Sequence, residues 1–245
     1  VPRVTTGGLD TVAVRMPSHR VALALIRESG TPIAAPSANL SGRPSPTTAE
    51  HVLRDLDGRI DAILDGGPTF VGVESTVIDM TVEPPQILRP GGTPYESLVE
   101  VIGDVRLHPS AIAKKEVDVV KPKSPGMKYR HYAPRAGLIL VEGEVDAIVR
   151  RVREIASAKL EEGLRVGILA TDETLNSYDG GVYVVRSLGS RRNLSTIAKN
   201  LFKVLRELDD AGVDLIIAEG VPQKGLGLAV MNRLRKASSF NIVKA

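Results

Sequence analysis

Gly137-Leu138-Ile139-Leu140-Val141 opens a stretch in which short apolar runs and amphipathic segments alternate to the end of the chain. Four large aliphatics behind a glycine read as a buried strand, and residues 145 to 162 then place apolar side chains at helical spacing. Val166-Gly167-Ile168-Leu169, Val182-Tyr183-Val184-Val185 and Asp214-Leu215-Ile216-Ile217-Ala218 read as further strands. Between them, residues 194 to 211 set Leu194, Ile197, Ala198, Leu201, Phe202 and Leu205 on one helical face, and a last helix starts near residue 226. This alternation predicts a parallel, Rossmann-like α/β domain over residues 137–245. Gly225-Leu226-Gly227 lacks the third glycine and stands at the wrong end for a dinucleotide fingerprint, so no NAD site is expected.

Upstream, periodicity is lost from residue 104 to 136, a charged and proline-punctuated passage ending in Lys123-Ser124-Pro125-Gly126-Met127-Lys128-Tyr129-Arg130-His131-Tyr132-Ala133-Pro134. Its composition is that of a linker. A pure spacer has no need of two tyrosines, a histidine and several cations, so residues 109–136 are read as a linker or lid loop. Residues 1–108 are read as an earlier α/β domain. Strands are expected at Leu9 to Arg15, where alternation puts Thr11 and Arg15 on one face, at Pro32 to Ala35, at Ile60 to Asp65, at Glu74 to Asp79 and at Gln86 to Arg89. Ser18 is expected to cap a helix carrying Val21, Ala22, Leu25 and Ile26 and ending at Gly30. Thr93, Pro94 and Glu96 announce another, running through Leu98 and Ile102 to Gly103.

Pro36-Ser37-Ala38-Asn39-Leu40-Ser41-Gly42-Arg43-Pro44-Ser45-Pro46-Thr47 sets hydroxyls, an amide and a guanidinium among three prolines and a glycine. Prolines stiffen the free loop and Gly42 permits a reversal, so the polar groups can be held in place before a ligand arrives. Thr47 and Glu50 match a capping box for the helix that follows. The same composition also makes an ordinary solvated turn, and the loop alone does not choose between the two readings.

A chain of 245 residues with 42% hydrophobic and 25% charged residues suits a soluble globular protein of one large or two ordinary domains. Aromatics are 3%, with no tryptophan, so the core is aliphatic and stacking platforms for single-stranded nucleic acid are scarce. The absence of cysteine excludes disulfides, thiolate catalysis and Cys-based zinc sites. Four histidines, at 19, 51, 108 and 131, show no local metal-ligand spacing. With no apolar run long enough for a bilayer and no signal peptide, a cytoplasmic location is expected, without membrane partners. The net charge of +3 is a weak nucleic-acid signal.

Asp10-Thr11-Val12-Ala13-Val14-Arg15, Ala35-Pro36-Ser37-Ala38-Asn39 with Ser41-Gly42, Glu74-Ser75-Thr76-Val77-Ile78-Asp79, Ile87-Leu88-Arg89-Pro90-Gly91 and Lys128-Tyr129-Arg130-His131-Tyr132-Ala133-Pro134 occur in an order and spacing that closely resemble the YrdC-like threonylcarbamoyl-adenylate synthases in their two-domain form. The resemblance spans essentially the whole chain and implies that residues 1–108 are the C-terminal portion of a YrdC-like α/β catalytic domain with a twisted sheet, followed by the 109–136 linker or lid loop and the Rossmann-like domain. It implies about another hundred residues ahead of Val1, including a Lys/Arg-rich nucleotide-binding segment not found here, which fits an opening residue other than methionine. The implied reaction joins L-threonine, bicarbonate and ATP into threonylcarbamoyl-AMP and pyrophosphate, supplying the N6-threonylcarbamoyladenosine modification of tRNA, with Mg²⁺ accompanying ATP. It leaves room for contact with tRNA or a tRNA-modifying complex.

Carried over to these positions, Arg15, Ala35 and Ser75 would bind threonine, Arg15 through its bidentate fork. Thr11, Ser37, Ser45, Arg89 and Tyr129 would bind ATP or its phosphates, and Arg130, His131 and Tyr132 would close as a lid, with Tyr129, over the labile carbamate. Asn39 is expected to hold its loop. No acid/base constellation and no resident metal site is implied, because an oxyanion attacking a phosphate needs placement and charge neutralisation. Glu74 and Asp79 fall on opposite faces of a strand, so a paired-carboxylate site is rejected. The competing reading is an RNA-binding or regulatory module without chemistry, and a third is carbamoyl transfer to another substrate.

Overall fold

The computed structural model describes residues 1–115, 122–124, 132–178 and 181–245. In chain order, α1 (Arg20–Ser29) and α2 (Ala49–Leu56) precede β1 (Val77–Asp79), β2 (Gln86–Arg89), α3 (Tyr95–Ile102), β3 (Arg106–Leu107) and the short α4 (Pro109–Ile112). β1 pairs antiparallel with β2, and β2 pairs parallel with β3, giving a small three-stranded sheet. Next come β4 (Gly137–Glu142), α5 (Val145–Glu161), β5 (Val166–Ala170), β6 (Val184–Ser187), α6 (Leu194–Asp210), β7 (Leu215–Glu219), α7 (Leu226–Ala237) and β8 (Ile242–Lys244). These five strands form one parallel sheet in the order β6-β5-β7-β4-β8. No helix among the described residues is long and apolar enough to cross a membrane.

The second sheet is buried on both faces, as all-parallel sheets are. Val141, Val166, Ile168, Ala170 and Ile217 pack on Ile148, Val152 and Ala156 of α5. On the opposite face Leu138, Leu140, Leu169, Ile216 and Ala218 meet α6 and α7 through Leu201, Phe202, Leu205 and Leu234. The expected α/β alternation is therefore present, and its helix stripes are the ones the periodicity indicated. Three elements went unread: β8, whose Ile242 and Val243 pair with Leu140 and Val141, and the strand and helix at Arg106–Leu107 and Pro109–Ile112. Each is too short for a period to register.

The first 76 residues differ from the expectation. Residues 9–15, 32–35 and 60–65 are not strands, and the 74–79 strand is confined to Val77–Asp79. A strand exists by virtue of a neighbour's ladder, and among the described residues no strand lies alongside those three segments. Alternation indicated which residues suit a strand and carried no information about a partner. Three caps also shift, with Pro94 rather than Thr93 at the N-cap of α3. His19 occupies the N-cap of α1 in place of Ser18, while Gly30 ends that helix in the left-handed conformation. Thr48, one residue after Thr47, caps α2 by accepting from the His51 N–H.

α7 is the unusual element. Every residue from Gly227 to Ala237 is buried, including Arg233, Arg235 and Lys236. One face lies on the second sheet. The other reaches the first α/β unit, where Asn232 donates its amide to the Ala111 carbonyl at 2.9 Å and the Gly225 N–H reaches Glu96 at 3.1 Å.

Candidate functional site: a seam of buried ion pairs beneath the proline-serine loop

The 36–47 loop is tied down at several points. Asn39 donates its amide to the Leu40 carbonyl at 2.8 Å and the Arg43 carbonyl at 3.4 Å, holding the turn from inside. Gly42 takes φ +87°, a conformation costly for a residue with a Cβ, and its carbonyl accepts from the Ala133 N–H at 3.0 Å. This bond joins the loop to the Tyr132-Ala133-Pro134 segment. Arg206 of α6 donates to the Pro44 carbonyl at 2.6 Å and forks onto Asp55 at 2.7 and 3.2 Å, and Arg43 adds a contact to Asp55 at 3.0 Å. Burial opposes ionisation of Asp55, but the hydrogen bonds and charges of Arg206 and Arg43 outweigh it and hold its carboxyl below the usual range.

Glu74 occupies the centre of the seam. Ser45 Oγ donates to Glu74 Oε1 at 2.5 Å, and Arg233 Nε donates to Glu74 Oε2 at 2.7 Å. Burial again works against the charge, and the Arg233 cation together with these hydrogen bonds overcomes it, so Glu74 titrates below the ordinary glutamate range. Alongside, Arg89 at the end of β2 donates Nε and a terminal nitrogen to the Ser75 carbonyl at 3.2 and 2.9 Å. The Gly92 N–H donates to the Glu74 carbonyl at 2.9 Å. The Arg233 guanidinium lies 5.1 Å from the centroid of the Tyr132 ring, which in turn packs 5.4 Å from the Phe202 ring. Tyr132 holds φ +65°, a strained value for a large side chain, and is buried at this junction.

Lys236 lies one turn further along α7. Burial, then the nearby Arg233 and Arg89 charges, push its pKa down from 10.5 to about 7, against the pull of Glu74. In the unfolded chain this lysine stays protonated up to about 10.5, so from pH 7 to 10.5 the unfolded state binds more protons and stability rises with pH. Below pH 7 the full penalty applies. Lys236→Met is expected to abolish that rise and to stabilise the protein on the acidic side, which urea midpoints measured on both sides of pH 7 would show.

Of the expected ligand contacts, Ser45, Ser75 and Arg89 come together here, through Glu74 and the backbone of Ser75. Arg15, Ala35 and Ser37 are exposed and Thr11 is half-buried. Tyr129, Arg130 and His131 lie outside the described residues. Glu74 and Asp79 do not form a carboxylate pair: Asp79 binds Thr81 and Lys123, at 2.6 and 2.9 Å, while Glu74 binds Ser45 and Arg233. Sequence reasoning missed Arg206 and Arg233. In the chain they look like solvated cations of amphipathic helices. The available signal was a cation on the apolar stripe, since Arg206 stands four residues after Phe202 and Arg233 four after Ala229.

Residues 94–239 match the family profile described as "Threonylcarbamoyl-AMP synthase, C-terminal domain", and residues 1–91 match one described as "Telomere recombination". The threonylcarbamoyl-AMP synthase of Pyrococcus abyssi is 57% identical over 244 residues, covering 100% of this chain and 68% of that protein. The Bacillus subtilis enzyme of the same name is 51% identical, covering 99% of this chain and 67% of its own length. The crystal structure of P. abyssi Sua5 complexed with L-threonine superposes with a TM-score of 0.92 at 56% identity, over 100% of this chain and 69% of that one. With two profiles in tandem and full-chain relatives at this identity, the chain belongs to the threonylcarbamoyl-AMP synthase family of enzymes.

Proposed function

We propose that the chain's site residues serve the family's adenylyl transfer from ATP in the following way. The threonine amine and bicarbonate condense to a carbamate with loss of water. A carbamate oxygen attacks the α-phosphorus of ATP, the bond from that phosphorus to the bridging oxygen breaks, and pyrophosphate leaves. Three anions must meet for this, so the chain's contribution is cations and fixed dipoles. Arg15 takes the threonine carboxylate, with Ala35 and Ser75 beside it. Arg89 neutralises the nucleotide phosphates, with Thr11, Ser37, Ser45 and Tyr129 on the nucleotide.

The observation that carries this reading is the convergence of Ser45, Ser75 and Arg89 around Glu74, with Ser45 buried, Arg89 half-buried and Ser75 exposed. Threonine as substrate is supported by the likeness to the P. abyssi protein crystallised with L-threonine. Mg²⁺ enters as part of the nucleotide substrate. Among the described residues no group of three or more His, Asp and Glu could hold a metal, and the ion's octahedral shell is readily built from phosphate oxygens and water. A cytoplasmic location, beside the tRNA-modifying step that consumes the labile product, goes with this reading. The test is pyrophosphate release by the full-length protein with threonine and bicarbonate each supplied or withheld. Release that needs both supports the reading. No release under any combination, together with salt-dependent RNA affinity, would overturn it in favour of an RNA-binding module.

A further inference from the structure

Ser45 has a fixed polarity. Glu74 accepts from Arg233 on one oxygen and from Ser45 on the other. A carboxylate held ionised by a buried arginine has no proton to give, so the Ser45 hydroxyl must be the donor in that contact. The hydroxyl hydrogen is then committed, and what Ser45 offers a ligand is lone pairs. A phosphate oxygen, itself only an acceptor, has nothing to give it. A ribose hydroxyl or the adenine amino group does.

Two contacts from the second domain hold this arrangement. Arg206 anchors the Pro44 carbonyl, one residue before Ser45, and Arg233 anchors the carboxylate that takes the Ser45 hydrogen. Both arginines are buried and come from helices of the parallel-sheet domain. Ser45 thus has its backbone placed by α6 and its side chain placed by α7.

We propose that Arg233 is a positioning residue for the nucleotide: acting through Glu74, it fixes Ser45 as a hydrogen-bond acceptor for a donor on the nucleoside, either a ribose hydroxyl or the adenine amino group. The second domain thereby takes part in nucleoside selection. This rests on the adenylyl-transfer reading of the site and narrows the expected Ser45 contact, ATP or its phosphates, to the nucleoside.

The test compares kcat/KM for ATP, 2′-deoxyATP, 3′-deoxyATP and ITP in pyrophosphate release by the full-length protein, for wild type, Ser45→Ala, Arg233→Met, Arg233→Lys and Glu74→Gln. Loss of one hydrogen bond to the nucleoside is expected to cost the wild type about tenfold against one analogue. The analogue affected identifies the donor. Ser45→Ala, Arg233→Met and Glu74→Gln should all erase that discrimination, and Arg233→Lys, which keeps the charge, should restore part of it. A merely structural Arg233 would lower the melting temperature and leave the ratio between analogues unchanged, which would overturn the proposal. So would a wild type that treats all four nucleotides alike, or a loss confined to Ser45→Ala. If Arg233→Met does not fold, Glu74→Gln decides by the same ratio. Wild-type release that ignores threonine and bicarbonate would instead sink the underlying reading, and the control reactions show which has failed.

Discussion

Gly91→Ala is expected to abolish threonine-dependent pyrophosphate release and to destabilise the fold by about 3 kcal/mol or more. A Cβ at Gly91 would stand 2.2 Å from the Glu74 carbonyl oxygen, 2.4 Å from the Ser75 carbonyl carbon and 2.4 Å from the Thr76 nitrogen. All three are backbone atoms, so no side-chain rotation relieves the clash. The segment that must give way, residues 74–76, carries the Ser75 carbonyl under Arg89 and the Glu74 carboxylate under Arg233 and Ser45. The substitution therefore strikes stability and site at one point. Denaturant melts and the release assay check it. An alanine variant with wild-type midpoint and turnover would mean that the two segments do not approach as closely as described.

Glu219→Ala should cost about 3–5 kcal/mol and melt the second domain ahead of the rest. Glu219, at the end of β7, has no solvent exposure. Its carboxylate accepts from Arg191 at 2.8 Å, from Thr171 at 3.0 Å and from the Tyr178 hydroxyl. Burial and the Glu219 charge push the Tyr178 phenol up, keeping it a donor. Truncation leaves a nearly buried guanidinium and two hydroxyls without their acceptor, and that loss of compensation is what makes half of a buried pair so costly to remove. Glu219→Gln, which retains an acceptor oxygen, should cost less. Amide exchange across β5 and β7 would localise the effect. Equal midpoints for wild type and Glu219→Ala would contradict the network.

Both sites show what a chain's local pattern does and does not contain. The run from Leu138 and the stripe Ile197, Ala198, Leu201, Phe202 and Leu205 are legible because a buried strand and an amphipathic helix impose periods of two and 3.6 on neighbouring residues. The proline-serine loop is legible for a related reason: proline, glycine and asparagine bias the backbone where they stand, and Gly42 and Asn39 do in the structure what their chemistry suggests.

By itself, then, the sequence determined the α/β class, the helices and strands of the parallel-sheet domain, the stiffness of the 36–47 loop and the family. Only the tertiary structure decided which segments pair, which is why the alternating stretch 9–15 and the largely apolar runs 32–35 and 60–65 read as strands without being any. It also decided the fate of the charges. Arg206 and Arg233 stand 161 and 188 positions after Ser45 by simple subtraction, and no local rule connects residues so far apart. Charge on a helix reads as solvated until a second surface covers it. Here the first domain covers α6 and α7, and burial turns two ordinary cations into the anchors of Asp55 and Glu74.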